Sequence, residues 1–457
     1  MEGVKLGEII PSEENPYNGD LLDRRQCGKV LEELVQTFSS GCVIAVDGKW
    51  GTGKTTFVGM WGEYMKKNGY TVLSFNAWQS DFVLDPLVCL IAEFQKMTTI
   101  AGKDKVEKLT KAVAKISFAM LPAIVAQIAK SLTGIDIQEM TKSAVGETVN
   151  ILNKCVDDYS KQKESLEDFR SALSEYVESV RRAKPVIYIV DELDRCNPTY
   201  AVKTLERIKH LFSVKNVVFV LAIDKQQLCH SIRGYYGSEH IDADDYLRRF
   251  IDIQYSLSIG NIGKLVPSVL QKFGITESLI KKEKNATYAM AYFEGYVKLL
   301  YQLKSMSIRQ LEKWLLHTRL VLGNTQKRNI SSETVLFIVY LKLFETDFYH
   351  QLVLCEIDDQ SVIDFFEENF SETFYDTAIP VAMSTYTVIA ELIRSRYGNN
   401  DDAFYNRVVS RGGKFLLKFN TGKINEEWLV SSFHYAEYVP SIISIKEDVE
   451  LVSLVNI

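Results

Sequence analysis

Residues 48 to 55 read Gly48-Lys49-Trp50-Gly51-Thr52-Gly53-Lys54-Thr55, a gapless match to the phosphate-loop pattern G-x-x-x-x-G-K-[ST]. The apolar run Cys42-Val43-Ile44-Ala45-Val46 stands directly before it, and a helical stretch follows as far as Lys67, where Asn68-Gly69 stops it. Strand, loop and helix in that order are the context such a loop requires, and they commit the chain to an α/β fold. Glycines let successive backbone N–H groups converge on a polyphosphate, because a Cβ would strain the bend or block the approach. Gly48, Trp50, Gly51, Thr52, Gly53, Lys54, Thr55 and Thr56 are therefore the residues expected around a nucleotide. Within that set Lys54 reaches the β- and γ-phosphates, the Thr55 hydroxyl completes a Mg²⁺ shell, and the helix N-terminus adds partial positive charge. An ordinary glycine turn is the plainer alternative.

A second acidic element is needed if the nucleotide is to be hydrolysed. Pro185-Val186-Ile187-Tyr188-Ile189-Val190 is an apolar run of the kind that forms a strand buried on both faces, and it delivers Asp191-Glu192 at its carboxyl end. Ligands of open α/β sheets sit at that end. Asp191 is expected to hold Mg²⁺ through a water, and Glu192 to orient and polarise an attacking water. The competing reading makes the two acids a cap for the helix that begins near Pro198.

The chain has 457 residues, enough for two to four structural units, and its 46% hydrophobic and 25% charged shares are those of an ordinary globular protein. A formal charge of −6 carries no nucleic-acid signature. Its seven cysteines are odd in number and form no C-x-x-C pair, which suits reduced thiols in the cytoplasm. The histidines lack metal-ligand spacing; His210, His230 and His317 fall in helical stretches. No signal-peptide core follows Met1-Glu2-Gly3-Val4-Lys5. The most membrane-like run, Ile116 to Ala129, contains Pro122 and Gln127 and falls short of the roughly twenty apolar residues a span needs. No transmembrane anchor is expected.

Five strand candidates follow in order: Cys42 to Val46, Tyr70 to Phe75, Val186 to Val190, Val217 to Ile223, and Phe250 to Leu257. The first four are apolar runs, as expected for a parallel sheet covered on both faces. The last alternates Ile251, Ile253, Tyr255 and Leu257 with polar residues and suits a sheet edge. The expected organisation is a leader and helix at 1–41, a first core segment at 42–79, a helical insertion at 80–184, a second core segment at 185–260, a helical lid at 261–322, and a mainly helical region at 323–457. Acidic clusters in the last region, among them Glu356, Asp358, Asp359, Asp364, Glu367 and Glu368, read as solvated helix faces.

Val186 to Asn197, VIYIVDELDRCN, resembles the Walker B segment of the KAP-type P-loop NTPases. Asp20-Leu21-Leu22-Asp23-Arg24 looks like that family's leader, Phe75-Asn76-Ala77-Trp78 like its second strand and turn, and Leu205 to Phe212 like its helix after Walker B. Tyr246-Leu247-Arg248-Arg249-Phe250-Ile251 and Ser307-Ile308-Arg309 complete the resemblance, which covers about residues 20 to 320. It implies a P-loop NTPase core of the ASCE/STAND type with a five-stranded parallel sheet, ATP and Mg²⁺ as ligands, and an adenine contact near Arg24. The family leader has Gly where Asp23 stands, and its strand after the Tyr-Leu motif ends in Leu-Pro where this chain has Leu257-Ser258. Many members carry paired transmembrane helices between the Walker motifs; this chain looks like a soluble member. Bacterial members are often encoded in mobile or antiviral clusters, which implies a defence role. Ile223-Asp224-Lys225-Gln226 stands where a guanine-reading Asn-Lys-x-Asp would be, which points to ATP.

Several polar residues read two ways. Asp224 is either a sensor of the attacking water and Glu192 or the N-cap of the helix starting at Lys225. Arg248 and Arg249 are either arginine fingers or surface ion-pair partners. Arg309 either reports nucleotide state from the lid or lies on a plain helix face. Asp194 and Arg195 pair with one another or with a neighbouring protomer. The leading expectation is a Mg²⁺-dependent ATPase that switches partner binding, with further copies of the chain or other subunits as partners. A slow or non-hydrolysing oligomerising scaffold is the alternative; a small-molecule kinase fits less well, because such enzymes usually lack a glutamate placed to activate water.

Overall fold

The computed structural model describes residues 11–96 except 84, then 102–120, then 151–370 except 212–213, 259, 283–285, 325–329 and 355, and beyond these 384–385, 387–389, 391–392 and 449–450. The run from Ile116 to Ala129 lies outside the described residues beyond Met120, as do residues 393–448 of the expected C-terminal region. The chain divides into two compact units, of which the first spans Ile9–Ser258 and the second follows it.

In the first unit β1 (Cys42–Asp47), β2 (Thr71–Asn76), β3 (Val186–Asp191), β4 (Val217–Ile223) and β5 (Ile253–Ser256) form a five-stranded sheet in the order β2-β3-β4-β1-β5. Every pairing is parallel. The apolar runs of β1, β3 and β4 follow from cover on both faces. Ile44, Val46, Ile187, Ile189, Val218, Val220 and Ala222 meet α1 (Arg25–Thr37) and α2 (Lys54–Lys67) through Leu31, Val35, Phe57, Val58, Trp61 and Met65. The alternate residues Val43, Ala45, Val186, Tyr188, Val190, Phe219 and Leu221 turn to the opposite face.

That second face is covered by α3 (Pro86–Gln95), α4 (Lys103–Met120) and α5 (Ile151–Val180) of the insertion, together with α6 (Pro198–Leu211), α7 (Lys225–Tyr236) and α8 (Ala243–Arg248). Phe94 and Phe169 are wholly buried there, and the buried Tyr176 hydroxyl donates to the Phe94 carbonyl. The insertion is thus tied into the core through its first helix and the far half of its last.

The fifth strand starts later than its alternating pattern predicts, at Ile253 instead of Phe250. Phe250 and Ile251 both donate to the Leu247 carbonyl, at 2.9 and 3.0 Å, so they finish the turn of α8 before the ladder can begin. Its edge position is as the alternation implies: β5 pairs only with β1 among the described residues.

The second unit is helical where described: α9 (Ile262–Lys272), α10 (Ile275–Lys282), α11 (Ala286–Leu303), α12 (Ile308–Asn324), α13 (Ser332–Phe344), α14 (Thr346–Val353) and α15 (Asp359–Phe370). Trp314 of α12 is fully buried and donates to the Leu336 carbonyl of α13 at 3.1 Å. Described aromatic side chains of this unit pack on one another: Phe337 stacks on Phe366 at 5.0 Å, and Phe348 on Phe365 at 4.0 Å. Glu356, Asp358, Asp364 and Glu368 are exposed, as solvated faces should be. Among the described residues no helix is long and apolar enough to cross a membrane.

Candidate functional site

β1 ends at Asp47, and the chain turns through Gly48 to Gly53 before α2 begins. Gly51 and Gly53 sit at φ 76° and 80°, left-handed backbone that strains any residue with a Cβ. A Cβ on Gly48 would lie 3.1 Å from the Thr52 hydroxyl oxygen, inside the bend. Among the described residues no acceptor takes the backbone N–H groups of Gly51, Gly53, Lys54 or Thr55. Four donors are therefore left converging at a helix N-terminus, which is the arrangement that holds an anion.

The loop is braced from three sides. Gly48 N–H donates to the Ile223 carbonyl at 3.1 Å, and Trp50 N–H donates to Asp224 Oδ2 at 3.0 Å. The Trp50 indole N–H donates to Asp194 Oδ2 at 2.5 Å. From beneath, the buried Arg24 guanidinium donates to the Thr52 carbonyl at 2.8 Å and the Gly53 carbonyl at 3.5 Å. Asp20 Oδ2 fixes the Arg24 backbone N–H at 2.7 Å, so the Asp20–Arg24 leader is built as a support for the loop.

Lys54 Nζ donates to the loop's own carbonyls, at 2.5 Å to Gly48 and 3.3 Å to Lys49. Burial pulls its ammonium below the ordinary lysine range, while the charges of Asp194, Asp224, Asp191 and Asp47 hold it up against that pull. Asp191, buried at the end of β3, is pushed up to about 6 by burial, with the Thr55 hydroxyl working the other way and the neighbouring Glu192 adding to the rise. Burial likewise raises Asp194, opposed by Lys54 and by the Trp50 bond.

The Thr55 hydroxyl thus lies near enough to the Asp191 carboxylate to favour its ionised form, one hydroxyl and one carboxylate at the mouth of the glycine cradle. That donor set suits a hard cation that keeps most of its waters, and Mg²⁺ fits it. Glu192 stands one residue on, in left-handed backbone at φ 59° and ψ 25°. Its Oε2 accepts from Asn76 Nδ2 at 2.9 Å, and its Oε1 pairs with Arg195 Nη1 at 2.8 Å.

Asp224 does cap α7, accepting from Gln227 N–H at 3.3 Å, while its other oxygen holds the loop at Trp50. Thr56 lies in the first turn of α2. Arg248 and Arg249 are exposed at the end of α8, just before Asp252, whose carboxylate takes the Val43 N–H at 2.8 Å. They lie toward the amino ends of the strands, and the loop leaves the carboxyl end of β1, a strand length of roughly 13 Å away. Their chain's own loop is not where the structure puts them. Arg309, exposed, is in the first turn of α12 in the second unit. Asp194 and Arg195 turn to different partners within the chain: one holds Trp50 and the other holds Glu192.

Sequence reasoning missed Asn76 and Asp47. Asn76 pairs in register with Asp191 at the carboxyl end of β2, so a polar strand end beside the acidic one was the available signal. Asp47 accepts from Lys225 N–H at 2.9 Å and from Gln254 Nε2 at 3.0 Å, joining the ends of β1, β4 and β5.

A glycine cradle after β1, acids after β3, and β4 between them define a P-loop NTPase fold with a nucleotide-binding site. The family model for the KAP family P-loop domain matches residues 24–331, and the chain belongs to that family. No curated protein matches the chain in sequence. Among solved structures it is similar to the Aeropyrum pernix ORC2 protein in ADPNP–ADP complexes, at 12% identity and a TM-score of 0.32 over 99% of this chain and 98% of that one. A likeness of that size says nothing about function.

Proposed function

We propose that the chain binds ATP with Mg²⁺ and hydrolyses it, using the cycle to switch the assembly of protein partners. The observation that carries this reading is the closeness of Thr55 and Asp191 at the mouth of the cradle, with Glu192 one residue beyond. Lys54 and the free loop amides bind the phosphates; Thr55 and Asp191 hold the metal; Glu192 orients the attacking water and takes its proton. Magnesium, when bound, draws charge from the β- and γ-phosphate oxygens. Asp224 sets the loop's shape and stands as the sensor. Phosphate release by the purified protein tests the reading beside Lys54→Ala and Glu192→Gln. We expect both variants to lose turnover, and unchanged turnover in both would contradict the assignment.

A slow or non-hydrolysing switch is the second reading. It is favoured by one observation: Lys54 and both Glu192 oxygens are already occupied by protein partners, so hydrolysis requires them to be released. In either reading Arg248 or Arg249, exposed and away from its own loop, serves as a finger for a neighbouring copy, and Arg309 relays nucleotide state. Light scattering with ATP, with ADP and without nucleotide tests the assembly; constant mass in all three would count against it. The cytoplasm is the compartment we assign, and bacterial antiviral defence is the role that family membership suggests. Cells carrying Lys54→Ala should lose any phage protection the intact gene confers.

A further inference from the structure

We propose that Arg195 is a positioning residue that changes anionic partner with nucleotide state, holding Glu192 when no triphosphate is bound and releasing it when one arrives. The proposal rests on the reading of the cradle as a triphosphate site.

Three features meet at this arginine. First, Glu192 is drawn away from the cradle. Asn76, which holds Oε2, ends β2, and in the order β2-β3-β4-β1 that strand lies on the far side of β3 from the loop. Arg195 holds the other oxygen at 2.8 Å, so the carboxylate is fixed at both ends. Second, the Arg195 guanidinium lies over the Trp78 ring, 5.6 Å from its centroid. Trp78 is 50% exposed, an unusual place for an indole, and its face is an outer rest for the cation. Third, Arg195 follows Asp194 directly, and Asp194 is bonded to Trp50 of the loop. The short turn Leu193–Arg195 therefore touches the phosphate loop with one residue and the glutamate with the next.

A guanidinium paired with one carboxylate exchanges it for a more highly charged anion within reach, because the attraction scales with the charge and the fork fits phosphate oxygens as well as carboxylate oxygens. A triphosphate bound at the loop that this turn meets through Asp194 and Trp50 is the anion proposed for Arg195; a diphosphate ends one phosphoryl group short. Loss of Arg195 from Glu192 leaves the carboxylate held only by Asn76, and the Trp78 face loses its cation. The same movement releases one of the glutamate's two restraints and writes the nucleotide state onto an exposed aromatic.

The test uses the full chain labelled with 5-fluorotryptophan, whose five tryptophans give resolvable ¹⁹F lines, that of Trp78 being assigned by its loss in Trp78→Phe. Without nucleotide, Arg195→Ala and Glu192→Gln should each shift the Trp78 line. A non-hydrolysable ATP analogue should shift it in the unaltered protein, ADP should not, and neither should move it in Arg195→Ala. Calorimetry on the same samples should show analogue affinity falling about tenfold in Arg195→Ala with ADP affinity unchanged, the loss expected for one charge-assisted hydrogen bond. A Trp78 line indifferent to both substitutions, or one that answers ADP and the analogue alike, would overturn the proposal. If calorimetry detects no nucleotide at all, the triphosphate reading fails, while the nucleotide-free arm still decides whether Glu192, Arg195 and Trp78 form one linked chain.

Discussion

The Trp50 indole N–H donates to Asp194 Oδ2 at 2.5 Å, tying the tip of the phosphate loop to the turn that follows β3. Asp194 is 5% exposed, and the backbone N–H groups of Asp194 and Asp224 also favour its ionised form. Asp194→Ala removes the acceptor from all of them and should destabilise the first unit by about 1–3 kcal/mol. Asp194→Asn keeps an oxygen in place and should lose less than about half of that. Urea unfolding of both variants checks the order, and weaker nucleotide binding in Asp194→Ala should accompany it.

Arg24 supports the Thr52 and Gly53 carbonyls through its guanidinium, so its contribution depends on the shape of the group as well as the charge. Arg24→Lys preserves the charge and loses the planar fork. We expect nucleotide affinity to fall about tenfold in Arg24→Lys, the equivalent of about 1.4 kcal/mol, and further in Arg24→Ala. If Arg24 met adenine instead, Arg24→Lys would change the preference between ATP and GTP; the brace predicts equal losses for both.

Asp191 gives a pH signature in the nucleotide-free protein. Its folded pKa, about 6, lies above the unfolded value of 3.8, so between those limits the folded state binds more protons than the unfolded one. Stability therefore falls as pH rises through this window, by about 3 kcal/mol in total, and is unaffected by this group below it. Asp191→Asn should remove that slope, making the variant more stable than the unaltered protein at pH 8 and equal to it near pH 3. Denaturant midpoints across the pH range check both the sign and the window.

Four strands of the sheet were legible as mainly apolar runs, because cover on both faces leaves few polar positions to blur the pattern, and the fifth was legible from the alternation of an edge. The loop and the acids at 191 and 192 were legible for a different reason: phosphate chemistry prescribes their type and spacing locally. What reading along the chain could not supply is contact across it. Asn76 lies 116 residues from Glu192, and only the register of β2 against β3 brings them together. Asp194 and Arg195 are adjacent acid and base, yet their backbone turn sends one to Trp50 and the other to Glu192. Arg248 and Arg249 read along the chain either as arginine fingers or as surface ion-pair partners, but the direction of α8 and β5 carries them toward the strand ends opposite their own loop. The late start of β5 follows from a helical turn that takes two residues the alternation assigned to the strand.

Calorimetric titration of Mg–ATP into the folded protein, with Lys54→Ala alongside, bears most directly on the site at Gly48–Thr55. The account predicts a single saturable site per chain that is lost in Lys54→Ala. Folded protein that takes up no adenine nucleotide, or a Lys54→Ala variant that binds as tightly as the unaltered chain, would contradict it.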